Sequence, residues 1–202
     1  MIGPKDVFWD SCVFIRWLTG DTTELAQDIQ SYIDDAMKGE RKIHFSTILF
    51  AEVKPSHLRQ GGYETMAQVM NDFVAAFHPI EPNPNVMMAA GRLRDAKATN
   101  PADGKPCNRV VGTADAIHLA TCAYLRSQMG VENVVFHTFD EGKGKSWEGK
   151  CFPLLALEEW ILYAPDGSIE SEVIALPRTK PLYPQPPLFT MASMRPRRIL
   201  RI

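Results

Sequence analysis

Short apolar runs alternate with segments of helical periodicity along most of this chain. Asp6-Val7-Phe8-Trp9-Asp10, bounded by Gly3-Pro4, has the continuous apolar character of a buried parallel strand and ends in an acid. Residues 11–18 predict a helix that breaks at Thr19-Gly20-Asp21. A second helix is predicted over 23–38, because Leu25, Ile29, Ile33 and Met37 recur every four residues and Gly39 stops the run. Residues 42–46 predict a strand. Ser46 or Thr47 then caps a helix over 48–53, in which Glu52 interrupts an apolar sequence. Pro55 bends or ends that helix, and a further one is predicted over 63–77. Residues 77–81 read as an edge strand, since Pro79 has no N–H to give to a ladder.

The second half continues the alternation. A helix is predicted from Val86 to about Lys97, followed by a loop over 99–108 rich in Pro, Gly, Asn and Asp. The next helix, Thr113 to Leu125, has small residues at Ala116, Ala120 and Ala123, and Asp115 is its lone charge. Thr113 is the candidate N-cap. Asp115 falls in the first turn, where the positive helix end favours a carboxylate, so taken alone it reads as a capping group. Residues 133–138 predict a strand that runs into Phe139-Asp140, and residues 151–155 predict a last short one. Strands alternating with helices give an α/β fold with a central, mostly parallel sheet.

Length and charge refine this picture. The 202 residues suit one domain over 1–160 with a proline-rich basic extension over 161–202. Residues 176–202 hold six prolines, among them Tyr183-Pro184-Gln185-Pro186-Pro187, which favours extended polyproline geometry over a packed element. The formal net charge is −2, but six basic residues and no acid lie beyond Leu176. Residues 1–175 therefore carry 16 basic against 24 acidic groups, a net of −8. That asymmetry points to a polyanion or an acidic partner, or else to a solvated tail. No signal peptide and no run of membrane-spanning length is expected, which suits a cytoplasmic protein. Cys12, Cys107, Cys122 and Cys151 form no CxxC pair, and the five histidines form no HExxH pattern. Reduced thiols are expected, with Cys12 and Cys122 as core residues, and the spacings do not point to a zinc hydrolase.

Four acids share one property. Asp10, Glu52, Asp115 and Asp140 each replace an apolar or capping residue at a strand end or on an inward helix face, and in open α/β sheets ligands bind at that edge. A like-charge pair about 4 Å apart costs about 4 kcal/mol at an effective dielectric near 20, so converging carboxylates call for a cation. Oxygen-only ligands select Mg²⁺ or Mn²⁺. The chemistry such a site supports is phosphodiester hydrolysis. Arg92, Lys105 and Arg109 are candidate phosphate contacts, with a solvated surface charge as the alternative for each. His118, one turn from Asp115, reads as a packed or hydrogen-bonded histidine in preference to a general base.

Val7-Phe8-Trp9-Asp10-Ser11, Ser46 to Val53, Thr113 to Thr121 and His137-Thr138-Phe139-Asp140 resemble, in order, the four acidic motifs of PIN-domain nucleases, most closely the VapC-like toxins. The resemblance spans residues 5–157, and Asp115-Ala116-Ile117-His118-Leu119-Ala120-Thr121 is its most specific part. It implies a three-layer α/β/α PIN-like fold and metal-dependent endoribonuclease activity. It further implies an RNA substrate, a homodimer, and the role of toxin in a type II toxin–antitoxin pair with an antitoxin protein as partner. By the same match Asp10, Glu52, Asp115 and Asp140 are the catalytic and metal-binding acids, and Ser11 and Thr138 order the site. Many relatives carry another acid two residues after the last one. Here Glu141 would substitute only if its loop turned it inward. Two other readings compete: a non-catalytic PIN-like scaffold that binds RNA or protein, and an Asp-based phosphatase, whose second Asp is replaced here by Cys12.

Overall fold

Strand β1 (Asp6–Trp9) forms the middle of a five-stranded sheet in the computed structural model, which describes residues 3–20, 25–141, 151–161 and 166–184. The other strands are β2 (Lys42–Ser46), β3 (Phe77–Ile80), the short antiparallel pair β4 (Ala98–Thr99) and β5 (Pro106–Cys107), β6 (Val135–His137) and β7 (Arg178–Thr179). The order in the main sheet is β3-β2-β1-β6-β7, and every pairing in it is parallel.

Alternation along β1 builds the layers. Val7 and Trp9 enter one core, with residues of α1 (Ser11–Leu18), α2 (Ala26–Met37), α3 (Leu49–Glu52), α4 (Pro55–Gln60) and α5 (Met66–Asp72). Phe8 enters the other, with residues of α6 (Pro84–Arg94), α7 (Thr113–Ser127), α8 (Leu157–Trp160) and α9 (Ile169–Ile174). Both faces are covered, which is why the strands read as apolar runs. The result is the three-layer α/β/α arrangement with a parallel central sheet that the sequence predicts. No helix among the described residues is long and apolar enough to cross a membrane.

The chain moves outward from β1 to β2 and β3, then returns to β6 on the other side. The connections leave β1 and β6 in opposite directions, and such a switch point opens a crevice beyond the C-terminal strand ends. Pro79 sits opposite Phe45 in edge strand β3, where its missing N–H costs nothing. Three local expectations are corrected. The 99–108 loop folds back as the β4–β5 hairpin, closed by Gly104 donating to the Asn100 carbonyl, with Gly104 at φ +67°. Cys151 makes only an isolated bridge to Val110, and Leu154–Ala156 is a 3₁₀ turn in place of a strand. The cap of α7 is Gly112, so Thr113 is the first helical residue.

The segment beyond Trp160 departs most from expectation. Its described part is packed in place of forming free polyproline. Val173 and Leu176 are buried in the core beside α7, and β7 is the second edge of the sheet. An edge strand needs prolines only as acceptors: the Pro177 carbonyl accepts from Phe136 N, and the Thr179 carbonyl from Thr138 N. Beyond β7 the chain is clamped to the base of the sheet. Tyr32 donates its hydroxyl to the Leu182 carbonyl (3.0 Å), and the Tyr183 hydroxyl and Arg41 Nε both bind Asp35 Oδ2 (2.6 and 2.8 Å). Arg41 is 1% exposed and also holds the Pro4 carbonyl. Residues 185–202 lie outside the described residues.

Removing the guanidinium from this clamp leaves the buried Asp35 carboxylate short of its charge partner, so Arg41→Met is expected to cost about 3–5 kcal/mol in urea unfolding. A loss below about 1 kcal/mol would show that the clamp is a surface accessory, since exposed ion pairs contribute no more than that.

Candidate active site

Asp10 ends β1 and begins α1. Its N–H continues the sheet by donating to the His137 carbonyl (3.0 Å), and its Oδ1 caps α1 by accepting from Ser11 N (2.8 Å). Oδ2 accepts from the Thr138 hydroxyl (2.8 Å) and from the Cys12 thiol (3.1 Å). The carboxylate is 3% exposed, so these donors replace the water it has lost. Ser11 contributes through its backbone N–H and is itself buried.

Thr138 is completely buried just beyond β6, and its Oγ1 also accepts from Asp140 N (3.1 Å). One hydroxyl thus links the first and last acids. The sequence reading treats Cys12 as core packing and misses its role. Its thiol donates to Asp10, and its sulfur accepts from Phe139 N (3.3 Å), so it ties the turn after β1 to the turn after β6. Burial, followed by the Asp10 charge, pushes its pKa well above the ordinary thiol value, which marks it as a hydrogen-bonding group and not a nucleophile. The available signal was position: it lies two residues past the helix-capping acid, where the polar run Asp10-Ser11 would otherwise end.

Asp115 stands at the start of α7. Its carboxylate folds back over Gly112, where any added Cβ would lie 2.5 Å from Oδ2, so the helix starts on a residue without a side chain. Its pKa is raised to about 7. Burial is the main cause, followed by the Asp10 and Asp140 charges and, more weakly, Glu52. The helix end favours a carboxylate by about 0.3–1 kcal/mol at most exposed sites. That is small beside the roughly 4 kcal/mol of one close like-charge pair. Asp115 therefore keeps its proton to near neutrality.

Glu52 closes the ring from α3. Its Oε2 lies 2.7 Å from Nε2 of His118, which sits one turn into α7 and 4.0 Å from Asp10 Oδ1. His118 is fully buried, edge-on to Phe8. Burial opposes its charging. The Glu52 hydrogen bond and the Asp10, Glu52 and Asp115 charges outweigh burial, and its pKa is raised. The histidine is hydrogen-bonded, as the sequence reading prefers, but its partner is one of the four acids.

Asp140 is half-buried next to Thr138, and its carbonyl accepts from Leu155 N (3.1 Å). Glu141 is ion-paired with Lys180, just past β7, so the residue that would have supplied a fifth acid is held by a cation. Arg92 is bound to Glu170 on α9, and Arg109 lies over the Trp160 ring (4.5 Å) and donates to the Cys151 carbonyl (2.8 Å). Lys105, on the β4–β5 hairpin, has a 79% exposed side chain near Asp103. Among the described contacts none of these three touches any of the four acids: Arg92 and Arg109 are engaged by partners distant in sequence, and Lys105 lies on the hairpin turn. Among the described residues, Arg16, over the Phe139 ring at 3.9 Å, and Lys180, paired with Glu141, are cations set against the residues on either side of Asp140 in the turn after β6.

Asp10, Glu52 and Asp140 are thus all within electrostatic reach of Asp115, at the sheet's switch point. Among the described residues, no three His, Cys, Asp or Glu side chains are already arranged as a cage for a metal ion. The donor chemistry still fits a hard cation: four carboxylates supply the charged oxygens there, and burial together with the Asp10 and Asp140 charges raises the Asp115 pKa. A family model described as PIN domain matches residues 7–142, the stretch that carries all four acids. No curated protein and no solved structure matches the chain.

Asp115 has a folded-state pKa above its unfolded value, so it contributes stability below pH 4 that is lost as pH rises through about 7. A cation must displace the same proton. The rise in melting temperature caused by Mn²⁺ is therefore expected to be small at pH 6 and larger at pH 8. Equal shifts at both values, measured by scanning fluorimetry, would show that no proton on Asp115 competes with the metal.

Proposed function

The chain belongs to the PIN-domain family, and from that premise we propose that it is a Mg²⁺- or Mn²⁺-dependent endoribonuclease, the toxin of a type II toxin–antitoxin pair. PIN domains are generally nucleases, and those nucleases generally use divalent metal ions. The observation that carries the reading is the convergence of Asp10, Glu52, Asp115 and Asp140 at the crevice beside β1, with Asp115 raised to about pKa 7.

In this reading those four carboxylates hold the metal. Bound there, the ion supplies positive charge for the phosphoryl oxygens and acidifies water. The chain's own contribution is placement. Thr138 and Cys12 fix Asp10 Oδ2, Ser11 N fixes Oδ1, and Thr138 sets the turn that presents Asp140. Gly112, lacking a Cβ, leaves room for the Asp115 carboxylate at the α7 N-terminus. Arg16, over Phe139, and Lys180, paired with Glu141, flank Asp140 along the chain and supply positive charge for an RNA backbone that approaches it. A homodimer, an antitoxin partner and a cytoplasmic setting complete the proposal and rest on the motif resemblance.

Purified protein is expected to cleave cellular RNA at defined positions with Mg²⁺ or Mn²⁺ and to stop in chelator. Asp115→Asn should lower the rate on the order of 100-fold, as loss of a charge-organising group does. Undiminished cleavage by the Asn variant would remove the mechanism. Absence of Mn²⁺ binding by the wild type would leave a non-catalytic scaffold.

A further inference from the structure

Glu52 differs from the other three acids in how it is held. Asp10 is fixed by three donors on its own turn and the next, Asp115 lies in the first turn of α7 in the space that Gly112 leaves, and Asp140 follows the buried Thr138. Glu52 has a longer side chain on α3, a helix of four residues, and its side chain is 27% exposed. Its backbone alone does not select one rotamer. Among the described residues the side-chain hydrogen bond it makes is to His118 Nε2, at 2.7 Å.

His118 is the rigid half of that contact. It is 0% exposed, sits in the middle of the fifteen-residue α7 and packs edge-on against Phe8 of β1. Nε2 also lies 4.0 Å from Asp10 Oδ1, so one nitrogen stands between two acids. Its other nitrogen, Nδ1, is buried without a hydrogen-bond partner among the described residues. The imidazole is thus oriented by packing, and its hydrogen-bonding is directed at Glu52.

We propose that His118 is the positioning residue of this site: its Nε2–H pins the Glu52 carboxylate beside Asp10 and Asp115, so that the fourth acid joins the metal-binding set. Nε2 carries its hydrogen in the neutral tautomer that donates to Glu52 and in the charged ring alike, so the role is one of geometry. It rests on the metal-dependent nuclease reading. Groups that orient metal-binding residues in this way typically change metal affinity by 10-fold or more when removed.

The test compares two buried polar replacements. The amide nitrogen of Gln in His118→Gln reaches the position of Nε2, whereas that of Asn in His118→Asn stops near Nδ1. Mn²⁺ affinity by calorimetry should stay within about threefold of wild type for the Gln variant and fall about 10-fold for the Asn variant. In a Glu52→Gln background, where the pinned carboxylate is gone, His118→Asn should add less than about twofold, since coupled residues are not additive. Should the Asn variant not fold, His118→Leu makes the same comparison. Wild-type affinity in the donor-less variants, or an equal loss in the Glu52→Gln background, would overturn the positioning role alone. Failure of the wild-type protein to bind Mn²⁺ would instead overturn the nuclease reading and this inference with it.

Discussion

Mutual repulsion of carboxylates at one end of the sheet is the constraint around which this fold is arranged. Nothing in the backbone forces four acids to the β1–β6 crevice. The protein tolerates them by surrounding them with donors: a helix-start N–H at Asp10, a buried hydroxyl shared between Asp10 and Asp140, a thiol, an imidazole and the first turn of α7. These groups are held by the two cores, one on each face of β1. They soften the repulsion without cancelling it, and burial together with what remains of it lets Asp115 keep its proton to about pH 7.

Much of this was legible in the residues. A strand buried on both faces has to be apolar throughout, so β1, β2 and β6 announce themselves, and an acid that ends such a run is conspicuous. The parallel architecture follows from alternation alone. Proline in an edge strand was readable at Pro79 because its role there is a missing donor.

The illegible parts have a common physical cause: they depend on partners distant in sequence. Arg109 reads as a candidate phosphate contact, but Trp160, 51 positions away, is where its guanidinium lies. Arg92 answers to Glu170 in the same way. The prolines at 177 and 181 suggested an unpacked segment, whereas Phe136 required only a carbonyl from Pro177. Gly112 was overlooked as a cap because a cap is usually recognised by its side chain, and here its absence is what the carboxylate needs. Cys12 was misread because burial and hydrogen bonding to Asp10 give the same apolar signature in sequence.

The hydroxyl contact between Thr138 and Asp10 spans 128 residues of chain. Contacts so far apart have a longer loop to close than the parallel pairing of β1 with β2. On a ribosome, Asp10 emerges long before the residue that orients it, and domains generally fold as units once their chain is available. A partly synthesised chain therefore carries two of the acids, Asp10 and Glu52, with neither Thr138 nor His118 to hold them. The crevice cannot exist until β6 has been made, so whatever chemistry it performs is withheld from the nascent protein by topology.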